Sequence, residues 1–298
     1  MLGELRALIV GLVRAAPDRR RTVLTDVTVA NVDRPTPPVA GMTEPTVVIV
    51  AQGVKRTLLN GTPYDYRAGQ YLVITLDLPV IGQALHASPE EPFVAFTMRL
   101  RPTEIAALLL ETSTTAGPSR LSGLTISDAG PDLLDPVVRL LRIADRPDDL
   151  RVLGAAYRRE ILWRLLTGEQ GDLVRQVGLA NGNLAHVSRA IRWIRDHYRE
   201  PVLVADLAAL SGMSASSFHR HFRSATSMTP IQFQKQIRLQ TARTLLLSEP
   251  DQVAEIAYRV GYESPSQFNR DYRKTFGTTP GRDPDRLVNA APDVSPAA

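Results

Sequence analysis

The chain has 298 residues, an apolar share of 44%, 22% charged residues and no cysteine. That length exceeds the ~100–200 residues of a common single domain and predicts two, in a composition typical of folded proteins rather than disordered ones. Without cysteine, disulfide-built secreted folds, thiolate metal sites and cysteine nucleophiles are excluded, and no apolar run approaches the ~18 residues of a membrane span, so a cytoplasmic location away from membrane is expected.

The opening MLGELRALIVGLVRAAPDRRR has an apolar stretch at residues 7–13 with Glu4 and Arg6 before it and a basic cluster after it. This is the reverse of a secretory signal and predicts an amphipathic helix or tail. From Thr46 to Leu100 the pattern is that of strands: VVIVAQG, KRTLLNG, QYLVITLDLPV and FVAFTMRL are short runs rich in Val, Ile, Thr and aromatics. Asn60-Gly61 is a two-residue hairpin signal, because both positions of that turn need positive φ. Pro35-Thr36-Pro37-Pro38 and Ser88-Pro89-Glu90-Glu91-Pro92 read as loops. Strands at this spacing predict a small antiparallel barrel or sandwich.

From Pro102 onward the period is helical. Residues 103–110 and 133–143 are candidates, and Leu150, Leu153, Tyr157, Ile161 and Leu165 form one apolar stripe that Gly168 ends. The glycine-rich residues 168–183 read as a boundary between domains, and the chain beyond them as nearly all helix up to a flexible tail, residues 286–298. The expected class is α+β: a small antiparallel β-barrel with helices over residues 1–180, then an all-α domain over residues 186–285.

Net charge is +4, and its location is informative. Residues 1–185 hold 20 basic and 20 acidic side chains; residues 186–283 hold 14 against 9. The excess is confined to the helical segment, as expected if that segment alone meets a polyanion. Twelve of those 14 cations are Arg, which favours bidentate contacts to phosphate or guanine.

That segment contains one device twice. Residues 204–210 predict a helix with Val204, Leu207, Ala208 and Leu210 on its apolar side; Ser211-Gly212 breaks it, and Ser214 caps a second helix with Phe218 and Phe222 buried at i, i+4. Val253, Ile256, Ala257 and Val260 mark a second copy, which Gly261 ends before Ser264-Pro265 opens a helix with Phe268 and Tyr272 buried. Aligning Gly212 with Gly261 leaves Phe218 and Phe222 one place short of their counterparts, the offset of a turn one residue longer. The outward faces carry Ser216, His219, Arg220 and Arg223 in the first copy, and Ser266, Gln267, Asn269, Arg270 and Arg273 in the second. A short helix, a tight glycine turn and a cationic second helix form the helix-turn-helix pattern. Between the copies, residues 230–247 predict a helix ~27 Å long, against ~34 Å between adjacent major-groove faces of B-DNA.

Several of these residues resemble one family. Leu207-Ala208 through Ser211-Gly212-Met213-Ser214, Arg238-Leu239-Gln240-Thr241-Ala242-Arg243, Ile256-Ala257 through Gly261-Tyr262, Ser264-Pro265-Ser266-Gln267-Phe268 and Phe276-Gly277-Thr278-Thr279-Pro280 resemble the DNA-binding domain of AraC/XylS-type transcription regulators. Residues 45–53 and 87–92 resemble one subfamily's cupin-like N-terminal domain. The resemblance implies a sequence-specific regulator of promoter or operator DNA. Ser216, His219 and Arg220 would face bases in the first reading helix, with Arg223 nearer the backbone; Ser266, Asn269 and Arg270 would face bases in the second, with Arg273 and Lys274 toward phosphate. Ser216 is small where some relatives carry a large side chain, so the first helix is expected to read fewer bases.

For the N-terminal domain two binding roles stay open. In one, a small effector enters the barrel mouth past Tyr64, Tyr66, Tyr71, His86, Phe96, Met98 and Arg99; in the other, the domain only dimerises, through helices such as residues 150–165. The resemblance favours effector sensing in a homodimer, with RNA polymerase as a further partner if the output is activation. A cupin-type metal enzyme is the alternative from another class. It wants two or three His with a carboxylate, whereas residues 1–185 hold His86 alone. No metal, cofactor or catalytic residue is therefore expected.

Overall fold

The computed structural model describes residues 1–14, 16, 19–112, 122–179 and 182–290. Helix α1 (Leu2–Val13) precedes β1 (Arg20–Leu24), β2 (Val27–Val32), β3 (Val39–Thr43), β4 (Thr46–Gln52), β5 (Val54–Leu59), β6 (Thr62–Arg67), β7 (Gln70–Ile74), β8 (Leu78–His86) and β9 (Phe93–Arg99). Then come α2 (Pro102–Thr112), β10 (Leu124–Asp128), α3 (Pro131–Arg142), α4 (Pro147–Thr167) and α5 (Gly171–Gly178). The helical part comprises α6 (Asn183–Asp196), α7 (Val204–Leu210), α8 (Ala215–Thr226), α9 (Pro230–Ser248), α10 (Val253–Arg259), α11 (Pro265–Phe276) and α12 (Asp283–Ala290).

The strands form two antiparallel sheets, ordered β1-β2-β9-β4-β7-β10 and β3-β8-β5-β6, which is the α+β architecture the sequence predicts. Asn60 and Gly61 take φ of 50° and 80° and close the β5–β6 hairpin with Leu59 opposite Thr62. Side chains alternate across the larger sheet. Val47, Ile49 and Ala51 of β4 lie in a core with α1, α3 and α4, while Val48 and Val50 join the core between the two sheets.

Of the two readings of the opening segment the helix is the one found, docked with Leu5, Ile9 and Val13 fully buried. Other expectations change. QYLVITLDLPV is two strands, β7 and β8, in different sheets. A strand, β10, follows Pro102 and pairs with β7. The glycine-rich boundary contains α5, because Gly171 and Gly178 permit close backbone approach: a Cβ at Gly178 would lie 2.6 Å from Ile105. The stripe on α4 faces inward at four of its five positions, Ile161 and Leu165 being buried and Leu150 and Tyr157 packed against the same core, while Leu153 is exposed. At the other end α12 runs past Arg286 to Ala290, and residues 291–298 of the expected tail lie outside the described residues.

The helical part does not have a core of its own throughout. Leu184, Val187, Ile191, Leu207, Phe218, Phe222 and Phe233 share one apolar cluster with Leu72, Ile74 and Leu78 of the sheets. Phe268, Tyr272, Ile256 and Leu239 form a separate one. Polar contacts reinforce the shared junction: Asn60 Nδ2 donates to the Ser227 carbonyl at 2.8 Å, and Arg195 pairs with Asp77 at 2.8 Å.

The two glycine turns are built alike. Gly212 (φ 64°) and Gly261 (φ 92°) stand in left-handed conformation, and the N–H of the next residue, Met213 or Tyr262, reaches back to the Ala208 or Ala257 carbonyl, each at 3.0 Å. They differ in surroundings. Gly212 faces open space, whereas a Cβ at Gly261 would meet the Arg199 carbonyl oxygen at 2.5 Å. Gly212→Ala is therefore expected to cost about 1 kcal/mol and Gly261→Ala about 3 kcal/mol, read as unequal shifts of the denaturant unfolding midpoint; equal shifts would refute the contact with Arg199.

Candidate nucleic-acid interface

Helices α8 and α11 are each 12 residues long and start 50 residues apart, whereas α7 and α10 start 49 apart. The difference is one inserted residue: Met213 is followed directly by the N-cap Ser214, but Tyr262 is separated from the N-cap Ser264 by Glu263. Ser214 accepts from the Ser217 N–H; Ser264 makes no side-chain cap, and Pro265 at the first helical position removes one donor that would need it. Both helices end in a left-handed cap, Ser227 at φ 60° and Gly277 at φ 73°.

The inner faces set the outer ones. Phe218 and Phe222 are fully buried with ring centroids 5.4 Å apart, and Phe222 meets Phe233 of α9 edge-on at 5.6 Å. Phe268 and Tyr272 repeat the arrangement at 5.4 Å, with Tyr262 against Phe268 at 5.3 Å. Burial of these pairs turns positions i, i+3, i+4 and i+7 outward. Ser216, His219, Arg220 and Arg223 on α8 match Ser266, Asn269, Arg270 and Arg273 on α11 one for one, and all eight are exposed, as are Gln267 and Lys274. Asn269, Arg270, Arg273 and Lys274 border a shallow open depression with Thr279.

Electrostatics separates these faces from the rest of the molecule. Arg220, Arg223, Arg270, Arg273 and Lys274 make no ion pair with any described residue, whereas acids near them are engaged elsewhere. Asp271 turns inward to Lys235 of α9 at 3.0 Å. The buried Asp283 accepts from Arg243 at 2.6 Å and from the Tyr272 hydroxyl at 2.8 Å, and burial pushes the Tyr272 phenol well above its usual range. Asn269 Nδ2 donates to the Pro265 carbonyl at 3.0 Å, so its amide must leave its own helix to meet a base. His219 is on the outer face, while His221 is half-buried, with its proton affinity lowered by burial first and then by Arg220 and His186.

The residues expected at a barrel mouth are not gathered in one place. Tyr66 is buried between the sheets with Tyr64 partly packed beside it; Tyr71, Phe96 and Met98 lie on the opposite sheet face, under the helices. His86 is exposed at the end of β8, and Arg99 pairs with Glu44 and Asp26. Arg99 instead lines a cavity of about 420 Å³ between the β domain and α6, with Asp77, Arg101, Arg192 and Arg195. Six separate segments assemble it, so no local pattern in the sequence could announce it. Among the described residues no three His, Asp or Glu side chains converge as a metal would require, and no helix is long and apolar enough to cross a membrane.

Two helix-turn-helix units on one connecting helix, joined to a double-sheet domain, define a DNA-binding regulator with a separate N-terminal domain. A family model described as the AraC-type transcriptional regulator N-terminus matches residues 23–173, and one described as a helix-turn-helix domain matches residues 207–283. The chain belongs to the AraC-type transcriptional regulators. It is similar to the HTH-type transcriptional activator RhaS of Salmonella arizonae and of Salmonella typhimurium, each 28% identical over 247 residues covering 78% of this chain and 82% of the relative. Its fold is that of ToxT from Vibrio cholerae: an apo form gives TM-score 0.55 at 10% identity over 90% of this chain and 100% of ToxT, and an unsaturated-fatty-acid-bound form gives 0.53 at 11% over 90% and 96%.

The placement of α11 depends on Asp283. Asp283→Ala would leave the Arg243 guanidinium without its carboxylate and should cost about 3 kcal/mol, against about 1 kcal/mol for Tyr272→Phe. Guanidinium unfolding of the two variants measures both; a loss below that of Tyr272→Phe would show that Phe276 and the Pro38 carbonyl satisfy Arg243 alone.

Proposed function

We propose that α8 and α11 enter successive major grooves on one side of a promoter or operator. Ser216, His219 and Arg220 meet base edges in one groove, and Ser266, Gln267, Asn269 and Arg270 in the next; Arg223, Arg273 and Lys274 meet phosphates. The observation behind this reading is the pair of matching exposed stripes whose cations make no ion pair with a described residue. An unpaired Arg on a rigid helix is free to donate twice to guanine, and an Asn can pair with adenine. Helix α9, capped by the reciprocal Thr229–Gln232 hydrogen bonds, is 19 residues long, or ~28 Å, which suits readers one duplex repeat apart.

Residues 1–180 form the sensing and dimerising domain in this reading, and residues 186–285 the reading domain. The chain acts by binding, in the cytoplasm, without a catalytic step. Effector response is supported by the likeness to fatty-acid-bound ToxT, and activation as the output by the likeness to the activator RhaS, which would make RNA polymerase a partner; the chain acts as a homodimer in this reading.

Arg270→Ala should weaken binding to a selected site by ~1–3 kcal/mol and relax preference at one base pair, while Lys274→Ala should weaken all sequences alike and lower the salt slope by about 1. Quantitative footprinting on fragments selected by the purified protein measures both. Equal loss on every sequence for Arg270→Ala would make Arg270 a phosphate contact and overturn its assignment.

A further inference from the structure

Residues alternate along β5, so Lys55, Thr57 and Leu59 share one face. Lys55 stands opposite Tyr66 on β6 and Ala84 on β8; Thr57 stands opposite Tyr64 and Gly82; Leu59 stands opposite Val80. Leu59, Tyr66, Val80 and Ala84 all belong to the core between the sheets, so Lys55 is on the inward face. The neighbouring Arg56, on the outer face, has its carboxylate in Asp65 at 2.6 Å. Lys55 has none: it makes no hydrogen bond or ion pair with a described residue, and the charged group that acts on it is another cation, Arg20. A partly buried ammonium without a counter-ion is costly.

The surroundings supply polar partners for one. Gly82 and Ala84 are the small residues beside it, and a Cβ at Gly82 would lie 3.7 Å from Lys55 Cε. The hydroxyls of Thr57 and Tyr66 lie 3.4 Å apart on the same face. We propose that the β domain binds a small anion, a carboxylate or a phosphate, between its sheets, with the Lys55 ammonium as counter-ion and the Thr57 and Tyr66 hydroxyls as partners for its other oxygens. This rests on the reading of that domain as the sensing one.

The site is connected to the DNA-reading part. Ala84 exchanges hydrogen bonds with Thr36, its carbonyl accepting from the Thr36 N–H at 3.1 Å and its own N–H donating to the Thr36 hydroxyl at 2.9 Å. Two residues on, the Pro38 carbonyl accepts from Arg243 of α9 at 3.4 Å, and Arg243 holds Asp283 and through it Tyr272 of α11. An anion beside Ala84 therefore bears on the loop that touches the connector of the two readers.

The chain has three lysines, Lys55, Lys235 and Lys274, which makes amine labelling of the full-length protein directly readable by mass spectrometry. Burial and Arg20 lower the Lys55 pKa to about 8; its labelling should rise through that pH. Inorganic phosphate and a series of short carboxylates, each against its neutral amide at matched ionic strength, are the probes. Saturation with an anion of the right class should slow Lys55 labelling about tenfold and leave Lys274 unchanged, phosphate and carboxylate arms distinguishing the two sources. Equal labelling with every anion present, or protection by amides as good as by acids, overturns the proposal. Added duplex should instead protect Lys274, so failure of the DNA reading is seen at a different residue. Lys55→Met, which removes the uncompensated charge, should raise the melting temperature of the protein without anion; a fall counts against the site.

Discussion

Both reading units are fastened to the connector by one side chain. Arg238, in the middle of α9, donates to the carbonyls of Tyr198 at 2.6 Å and Gly261 at 2.7 Å, and to those of Arg199 and Glu200 at 3.1 Å. The first, third and fourth belong to the loop that leads into α7; the second is the turn glycine of the other unit. Gln234, one helical turn earlier, donates to the Tyr198 and Glu200 carbonyls as well. Those from Arg238 are charge-assisted bonds to backbone groups, the stronger kind, and burial holds the guanidinium's proton affinity below its ordinary value. The consequence is geometric. The spacing of α8 and α11 is set by a helix and a fork of hydrogen bonds rather than by a loop, and Gly261 has to be glycine because the Arg199 backbone that Arg238 holds lies against it.

The two units are not equivalent in what they rest on. The first is part of the core that fills the space between the sheets, and the Asn60 hairpin grips the left-handed end of α8. The second has its own small core and meets the β domain through Arg243 at the Pro38 carbonyl. A state change in the β domain thus bears directly on the first reader and at one remove on the second. Gating of DNA binding requires two arrangements that a ligand binds unequally, and the junction is where such arrangements would differ: its apolar part is continuous, while its polar links, Asn60 with Ser227 and Arg195 with Asp77, are few and specific.

The helical half was legible in the sequence because its signals are local. Glycine at a left-handed turn, serine before a helix and aromatics at i, i+4 each announce themselves within a few residues, and even the one-residue difference between the turns followed from aligning Gly212 with Gly261. The β half was legible only where strands are long and closed by a marked turn, as at Asn60-Gly61. Strand β10 has five residues and is defined by its partner β7, and the edge strands β1 and β3 likewise depend on pairing rather than on pattern. The glycines of α5 misled for a physical reason: glycine signals a break and close packing by the same lack of a side chain, and here it was packing against Leu166 and Ile105. The aromatics expected at one ligand site belong to two sheets: Tyr66 of the smaller one faces the space between them, while Tyr71 and Phe96 of the larger one face the helices, an orientation that one residue of register reverses.

Charge shows how position, rather than count, makes an interface. In the β domain arginines find acids across element boundaries, Arg21 with Asp145, Arg142 with Glu4, Arg158 with Glu104. In the helical part the two acids nearest the outer face of α11 are drawn inward, Asp271 to Lys235 and Asp283 to Arg243. What remains outward on α8 and α11 is cationic, with no ion pair among the described residues to neutralise it. A modest excess of five charges therefore becomes two concentrated stripes, because the same inward contacts that fix the helices also remove the negative charge that would have masked them. Stability and polyanion affinity are in this way served by one set of ion pairs, and a loss of Asp271 or Asp283 would disturb the interface by releasing the helix as much as by altering its charge.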